Sequence, residues 1–103
     1  MPIALPVVRM GVDMCSGHPA GPTYFPPRPS LTGSTDVFVE GLPLVRSSID
    51  TWTPHTNLIS VHPSMGVGGS QTVFCNGVPV MRVGDPLDCG SVAAMGSSTV
   101  FCG

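Results

Sequence analysis

Residues 33–46 read GSTDVFVEGLPLVR and residues 69–82 read GSQTVFCNGVPVMR, so the chain repeats itself at an offset of 36 residues. The two stretches align without a gap, and seven of their 14 positions are identical. A half-copy, GSSTVFCG, covers residues 96–103, and the complementary half, LPVVR, covers residues 5–9. Repeats at a fixed period indicate a fold that is assembled from like units. The sequence therefore predicts two complete units and a third that is divided between residues 1–18 and 96–103.

Each unit has the pattern of a β-hairpin. A short run, Val-Phe-Val or Val-Phe-Cys, leads to Glu40-Gly41 or Asn76-Gly77, and a second run then passes through proline to arginine. Asn-Gly between apolar runs favours a type I′ turn, because both central residues of that turn need a positive φ. The proline has no N–H, so we expect it at an edge or unpaired position of its strand.

The composition favours strands over helices. Gly and Pro account for 13 and 12 of the 103 residues, so few long windows are free of helix breakers. The hydrophobic fraction is 42% and the formal net charge is −2, which is not the composition of a disordered chain. We expect one small all-β domain over residues 1–103, with little or no helix. Its units are residues 1–18 joined with 96–103, residues 33–55 and residues 69–90, arranged about a pseudo-threefold axis.

The charge pattern argues against two classes of partner. The chain has no lysine and only four arginines, whereas nucleic-acid binding and polybasic membrane binding both need clustered positive charge. No apolar run approaches the roughly 20 residues that span a bilayer, so we expect no stable membrane insertion. The N-terminal residues lack the pattern of a secretory signal. The sequence therefore predicts synthesis in the cytoplasm.

The four cysteines leave more than one interpretation open. Cys15, Cys75, Cys89 and Cys102 could form two disulfides in three connectivities, as in a disulfide-stapled secreted binding module. Without a secretory signal, metal ligation or buried thiols are favoured instead. Cys75 and Cys102 each follow Val-Phe, where a thiol acts as a small apolar side chain.

Potential metal ligands follow the arginine of each unit. An aspartate comes three or four residues after the arginine, and a histidine or cysteine comes four or five residues after the aspartate. The equivalent aspartates are Asp13, Asp50 and Asp85, and the equivalent donors are His18, His55 and Cys89. A threefold arrangement would bring the three donors together. Zinc takes imidazole nitrogen and thiolate sulfur, with four ligands in structural sites, and the remaining histidine, His62, would complete the set. We predict one structural Zn²⁺ per chain, held by His18, His55, His62 and Cys89.

Two alternatives concern this site. Cys15 is a rival thiol close to His18, but it does not hold the repeat position that Cys89 holds. If His62 does not bind the metal, two histidines and one cysteine would leave an open coordination position, as in a zinc hydrolase. A hydrolase would also need a carboxylate base. Because an aspartate recurs in all three units, we assign the aspartates turn-capping or ligand-supporting roles and predict that the protein is not an enzyme.

Over nearly its whole length the chain resembles the PAAR-repeat family, named for proline-alanine-alanine-arginine. The motif core stands at residues 5–9, 42–46 and 78–82, and each copy keeps the proline and the arginine. The two alanines are replaced by Val, Leu or Met, which departs from the name motif. The resemblance implies a cone with a pseudo-threefold axis and a zinc near its tip, held by three histidines and one cysteine.

The resemblance also implies a function. PAAR-repeat proteins cap the trimeric β-helical spike of contractile injection machines (type VI secretion, phage tails or phage-like particles) and help to pierce the target envelope. The implied partner is a VgrG-like or phage central spike, with one tip per trimer, and an effector carried as cargo is a further partner that the resemblance allows. We expect strand edges at the blunt end of the domain to meet the spike. Such a tip acts outside the cell or inside a target cell.

Two features are specific to this chain. The segment Gly21–Pro29 is longer and richer in proline than a minimal loop, which predicts an extended surface excursion. The last half-copy extends to Gly103, so we expect a bare tip without a fused toxin domain.

Overall fold

The computed structural model describes residues 4–20, 22–56 and 61–103 and consists of short β-strands joined by turns. In chain order the strands are β1 (Leu5–Pro6), β2 (His18–Ala20), β3 (Thr23–Phe25), β4 (Phe38–Val39), β5 (Leu42–Pro43), β6 (Thr51–Thr56), β7 (Val61–Met65), β8 (Phe74–Cys75), β9 (Val78–Pro79) and β10 (Phe101–Cys102). None of the described residues lies in a helix. The predicted all-β fold is therefore confirmed. The described part accordingly contains no helix with the length and apolar character needed to cross a bilayer.

The strands form five antiparallel pairs, which are β1–β10, β2–β3, β4–β5, β6–β7 and β8–β9. In the β4–β5 turn Glu40 and Gly41 have φ values of 54° and 83°, and in the β8–β9 turn Asn76 and Gly77 have 55° and 82°. Two consecutive positive φ angles define the type I′ turn, so that prediction is confirmed. β1 pairs with β10, which brings the two parts of the divided unit side by side.

A closed ring of backbone hydrogen bonds connects the three units. The N–H of Val45 donates to the carbonyl of Val8 (3.0 Å), and that of Met81 donates to Val45 (3.2 Å). The N–H of Val8 completes the ring by donating to Met81 (3.1 Å). All three residues are fully buried. Each unit therefore satisfies backbone groups of the next, while the pseudo-threefold axis and the conical outline stay predictions.

Each repeat arginine is held by the aspartate of its own unit. The Nε atoms of Arg9, Arg46 and Arg82 lie 2.8, 2.9 and 3.0 Å from Oδ2 of Asp13, Asp50 and Asp85. The same carboxylates also accept the backbone N–H of their arginine, at 2.8, 2.7 and 2.8 Å. All three aspartates are buried. The predicted turn-capping role is confirmed.

The core consists of two apolar clusters. The first contains Val8, Cys15, Val45, Trp52, Met81, Leu87 and Ala93, with Met10 and Cys89 packed against it. The second contains Val7, Val39, Leu44, Cys75 and Val80, with Cys102 packed against it. Cys75 and Cys102 thus occupy the apolar positions that the Val-Phe-Cys pattern predicts. All four cysteines are free thiols in this structure.

The proline-rich segment is more than a surface excursion. Tyr24 is half exposed, but Phe25 is only 5% exposed because it pairs with His18 across the β2–β3 hairpin and turns inward. The prediction of a surface excursion is therefore wrong for Phe25. Gly21 of this segment, like residues 1–3 of the first predicted unit, lies outside the described residues.

Candidate metal centre

Four potential metal donors converge at one place in the fold. They are the side chains of His18, His55, His62 and Cys89, and their ligand atoms all lie within 4.8 Å of one another. His18 begins β2, and Cys89 lies in the turn that follows Leu87. The other two histidines come from facing strands of one hairpin. The donors are thus drawn from three separate parts of the chain.

The β6–β7 hairpin sets the closest pair. His55 and His62 are direct cross-strand partners, and a register shift between Trp52 and His55 precedes them. Directly opposed residues of an antiparallel pair point to the same face of the sheet. A bulge re-aims the side chains beside it. The Nε2 atoms of the two histidines consequently lie 2.7 Å apart.

The β2–β3 hairpin supplies the third histidine. Its Nε2 atom lies 3.2 Å from Nε2 of His62. The ring of His18 stacks on Phe25, its cross-strand partner, with centroids 4.7 Å apart and an interplanar angle of 24°. The hairpin therefore positions the imidazole and its aromatic support together.

Hydrogen bonds on the outer nitrogens fix which ring nitrogens face the centre. Nδ1 of His55 lies 2.8 Å from the carbonyl oxygen of Pro26, and Nδ1 of His18 lies 3.3 Å from that of Pro19. A carbonyl can only accept, so in a neutral ring Nδ1 carries the proton and Nε2 is left with the lone pair that a metal needs. Metal-binding histidines are oriented in this way by their outer nitrogen.

Phe25 forms an apolar wall behind the histidines. Its ring centroid lies 4.7 Å from that of His18, 5.0 Å from that of His55 and 4.4 Å from that of His62. One buried aromatic ring therefore lies within packing distance of all three imidazoles. Sequence reasoning missed Phe25 because it has no counterpart in the other units. The sequence signal that could have indicated its burial is the aromatic pair Tyr24-Phe25, seven residues or fewer after His18.

The turn that carries Cys89 is tied to β7. The N–H of Asp88 donates to the carbonyl of Met65 (2.9 Å), and the N–H of Met65 donates to Oδ1 of Asp88 (3.1 Å). Cys89 is half-buried beside the core. Cys15 instead belongs to the apolar core, where its Sγ accepts the N–H of Arg28 at 3.4 Å. The structure thus brings Cys89, and not Cys15, to the histidines.

The electrostatic environment of His62 favours its neutral form. Burial lowers the pKa of His62, and the neighbouring His55 and His18 lower it further, while Asp88 acts in the opposite direction. A metal ligand must be deprotonated, so a lowered pKa leaves the ring ready to bind at neutral pH.

The donor set fits zinc. Tetrahedral Zn²⁺ with Zn–N distances of about 2.0–2.1 Å places its nitrogen ligands about 3.3 Å apart. The separation of 3.2 Å between His18 and His62 is close to that value, and the 2.7 Å between His55 and His62 would have to lengthen by about 0.6 Å around the ion. Three imidazoles and one thiolate also provide the four ligands of a closed structural site. The repeat aspartates are not among the described donors of this cluster, since each is bound by its arginine.

Comparison of the chain with protein-family models and with curated protein sequences gives no match.

Proposed function

We propose that this protein is a zinc-stabilised, PAAR-like tip that caps the trimeric β-helical spike of a contractile injection machine. The observation that carries the proposal is the convergence of His18, His55, His62 and Cys89 from three parts of the chain. A repeat-built domain in which three of the four ligands, His18, His55 and Cys89, occupy equivalent positions matches what the family resemblance implies. The ring of hydrogen bonds through Val8, Val45 and Met81 supports the same arrangement.

The metal would act as a structural cross-link. Structural zinc contributes apparent binding energies of about 10–16 kcal/mol in small peptides, and that energy becomes folding energy where the site forms only on folding. Here the ligands lie on the β2–β3 hairpin, the β6–β7 hairpin and the Cys89 turn. Joining them closes long loops whose closure is entropically unfavourable. A tip that is driven against an envelope needs local stiffness of this kind.

Three like apolar patches support docking on a trimer. Each unit exposes a valine-phenylalanine pair where its first strand, β4, β8 or β10, begins, and the three pairs are exposed to similar extents. The values are 39% and 56% for Val37 and Phe38, 39% and 57% for Val73 and Phe74, and 38% and 49% for Val100 and Phe101. Contiguous exposed apolar surface marks interaction sites, and each pair contributes two neighbouring apolar side chains to such a surface. Three similar patches suit a partner with three identical subunits.

The proposal assigns a structural role and no catalysis. A zinc hydrolase would need an open coordination position and a nearby carboxylate base. The cluster offers four protein donors. Asp13, Asp50 and Asp85 are each bound by an arginine. A closed structural site therefore fits these residues better than a hydrolytic one. We propose that it stabilises a particle tip that docks on the spike, with or without an effector cargo.

Co-purification with the trimeric β-helical spike protein of the same organism tests the proposal. We expect one chain per trimer in size-exclusion chromatography with light scattering. Phe74→Ser should weaken the complex, because it removes an exposed apolar contact. Val67→Ser is the matched control, since Val67 is 61% exposed but lies outside the three pairs. Elution of the wild-type chain at the same volume with and without the trimer would refute the proposal.

A further inference from the structure

The turn residues Asn76 and Gly77 form a pair in which a side-chain amide can be attacked by the backbone nitrogen that follows it. Glycine has no Cβ to hinder that approach, and both residues are exposed. The only other asparagine of the sequence, Asn57, is followed by Leu58, whose side chain crowds the attacking nitrogen. Asn76 is thus the asparagine of this chain best suited to lose its amide group.

Loss of the amide needs no reagent other than water. The nitrogen of Gly77 gives up its proton and bonds to Cγ of Asn76, the bond from Cγ to Nδ2 breaks, and Nδ2 takes up a proton and leaves as ammonia. Water then opens the five-membered imide at one of its two carbonyls. Opening at Cγ leaves an aspartate, whereas opening at the backbone carbonyl leaves a main chain that runs through Cγ and is longer by a methylene.

The closed turn keeps the attacking nitrogen away from Cγ. The imide ring can close only if the nitrogen of Gly77 eclipses Cβ of Asn76 about the Cα–C bond, within about 3–3.5 Å of Cγ. The φ values of 55° for Asn76 and 82° for Gly77 define a type I′ turn. The first central residue of such a turn has a ψ of about +30°, which turns the following nitrogen almost to the opposite side of Cα from Cβ. The hairpin must therefore open at this turn before Asn76 can react.

Three side chains of the neighbouring unit hold the amide in place. Oδ1 of Asn76 accepts from Nη1 of Arg46 (3.1 Å) and from Oγ of Ser34 (2.8 Å). Nδ2 of Asn76 donates to Oδ1 of Asp36 (2.9 Å). Because all three partners lie in residues 33–46, the contact between the two units also keeps the turn closed.

A carboxylate would not fit the place that the amide leaves. Hydrogen bonds from Asn76 and Ser34 lower the pKa of Asp36, so Asp36 is ionised at neutral pH. A carboxylate at this place has no hydrogen to donate to Asp36 and repels it. Arg46 cannot neutralise both charges, because it already forms an ion pair with Asp50.

The equivalent contact with the divided unit shows what a carboxylate needs here. Glu40 takes the corresponding turn position, and its Oε1 accepts from Nη1 of Arg9 (3.0 Å) and from Oγ of Ser97 (2.6 Å). Its Oε2 accepts from Oγ1 of Thr99 (2.8 Å), and Thr99 holds the sequence position that corresponds to Asp36. A carboxylate is thus matched by a threonine in this contact, and an amide by an aspartate.

We propose that Asn76 is a spontaneous deamidation site that the closed fold protects and that reacts when residues 69–82 part from residues 33–46. Conversion then marks the opening permanently. The aspartate product meets Asp36, and the longer product no longer fits the two-residue turn between Cys75 and Val78. The site needs no partner protein, so it is independent of the spike-tip function.

Peptide mass mapping during incubation at mildly alkaline pH tests the site, since loss of a proton activates the nitrogen. The full chain, loaded with zinc, is kept in native buffer and in guanidinium chloride, and the replacement of NH₂ by OH is followed as an increase in mass. Asn76 should convert well before Asn57 in the denaturant and much more slowly in native buffer. Conversion of Asn76 no faster than that of Asn57 in the denaturant would overturn the site, and equal rates in the two conditions would overturn its protection.

An exposed variant tests the part that the neighbouring unit plays. Asp36→Ala removes the acceptor of Nδ2, so Asn76 should convert several-fold faster than in the wild-type chain in native buffer. Thr99→Ala is the matched control, because Thr99 is also exposed and holds the corresponding position in the Glu40 contact. Equal rates in all three chains, or equal acceleration in both variants, would overturn the role of Asp36.

A double-mutant cycle tests the conflict with the product. Asn76→Asp should lower the urea midpoint of unfolding. Asp36→Thr should largely restore it in the double variant, because a threonine donates to a carboxylate as Thr99 does to Glu40. Asp36→Thr alone should bring no gain, since it removes the acceptor of the amide. Additive effects of the two substitutions would contradict the charge conflict and, with it, the permanence of the mark.

Discussion

His55 and His62 lie opposite each other in the β6–β7 hairpin, with their Nε2 atoms 2.7 Å apart. Nε2 of His18 lies 3.2 Å from the same nitrogen of His62. Because Nδ1 of His18 and of His55 each face a carbonyl oxygen, the Nε2 atoms of both rings present lone pairs. If all three rings are neutral, only His62 can carry a proton on Nε2, and that one proton can bond to His18 or to His55 but not fully to both. A shared cation would satisfy all three nitrogens, and Cys89 could supply the fourth donor.

Removal of the metal should loosen the structure locally. The donors lie on the β2–β3 hairpin, the β6–β7 hairpin and the Cys89 turn, whereas β4–β5 and β8–β9 carry none. We expect a zinc chelator to increase amide hydrogen exchange in β6 and β7 more than in β5 and β9. Hydrogen exchange with mass spectrometry, before and after chelation, measures this difference. Uniform loosening of all four strands would contradict the local role of the metal.

Phe25 should support both the fold and the metal centre. Replacing a buried phenylalanine by alanine lowers the free energy of unfolding by about 3–5 kcal/mol. In Phe25→Ala the three imidazoles also lose their common wall, so zinc affinity should fall. Urea unfolding and competition with a chromogenic zinc chelator measure the two effects. Tyr24→Ala, beside it and 51% exposed, is the control. Equal zinc affinity in both variants would show that Phe25 does not support the ligands.

The buried Arg46–Asp50 pair should make stability depend on pH in acid. Burial opposes ionisation of Asp50, but hydrogen bonds from the side chain and backbone of Arg46 and from Thr32 outweigh it, so the pKa of Asp50 is lowered from 3.8. The unfolded state therefore binds the proton more tightly than the folded state. The stability that this carboxylate contributes is present above pH 3.8 and is lost as the pH falls through the lowered folded value.

The Asp50→Asn variant tests this dependence. Loss of one member of a buried ion pair should lower the free energy of unfolding at neutral pH by about 3 kcal/mol. The variant should also lose less stability than the wild-type chain on acidification, which urea unfolding at a series of pH values would measure. Asp36→Asn, at an exposed carboxylate, should have a much smaller effect at neutral pH. Parallel stability curves for wild type and Asp50→Asn would contradict the assigned role.

The repeated features of the fold were the predictable ones. Glu40-Gly41 and Asn76-Gly77 indicated the type I′ hairpins, because the preference for a positive φ depends only on the turn residues themselves. The same pattern also occurs in two units. The grouping of His18, His55 and Cys89 followed from their equivalent positions. Equivalence in sequence translates into proximity where the units contact one another, as the hydrogen-bonded ring shows.

The features that occur in one unit only could not be predicted in the same way. The contacts of Phe25 with the histidine rings depend on the register of the β2–β3 hairpin, which no repeat specifies. The bond from His55 to the carbonyl of Pro26 depends on how that hairpin packs against β6. The contacts of Glu40 with Arg9 and of Asn76 with Arg46 likewise depend on how neighbouring units pack.

X-ray absorption at the zinc edge tests the central claim most directly. The samples are the wild-type chain, Cys89→Ser and Cys15→Ser, each loaded with one equivalent of zinc. We predict three nitrogen scatterers at about 2.0 Å and one sulfur at about 2.3 Å in the wild-type chain. The sulfur should disappear in Cys89→Ser and persist in Cys15→Ser. A wild-type spectrum without sulfur, or a sulfur that persists in Cys89→Ser, would contradict the proposed site.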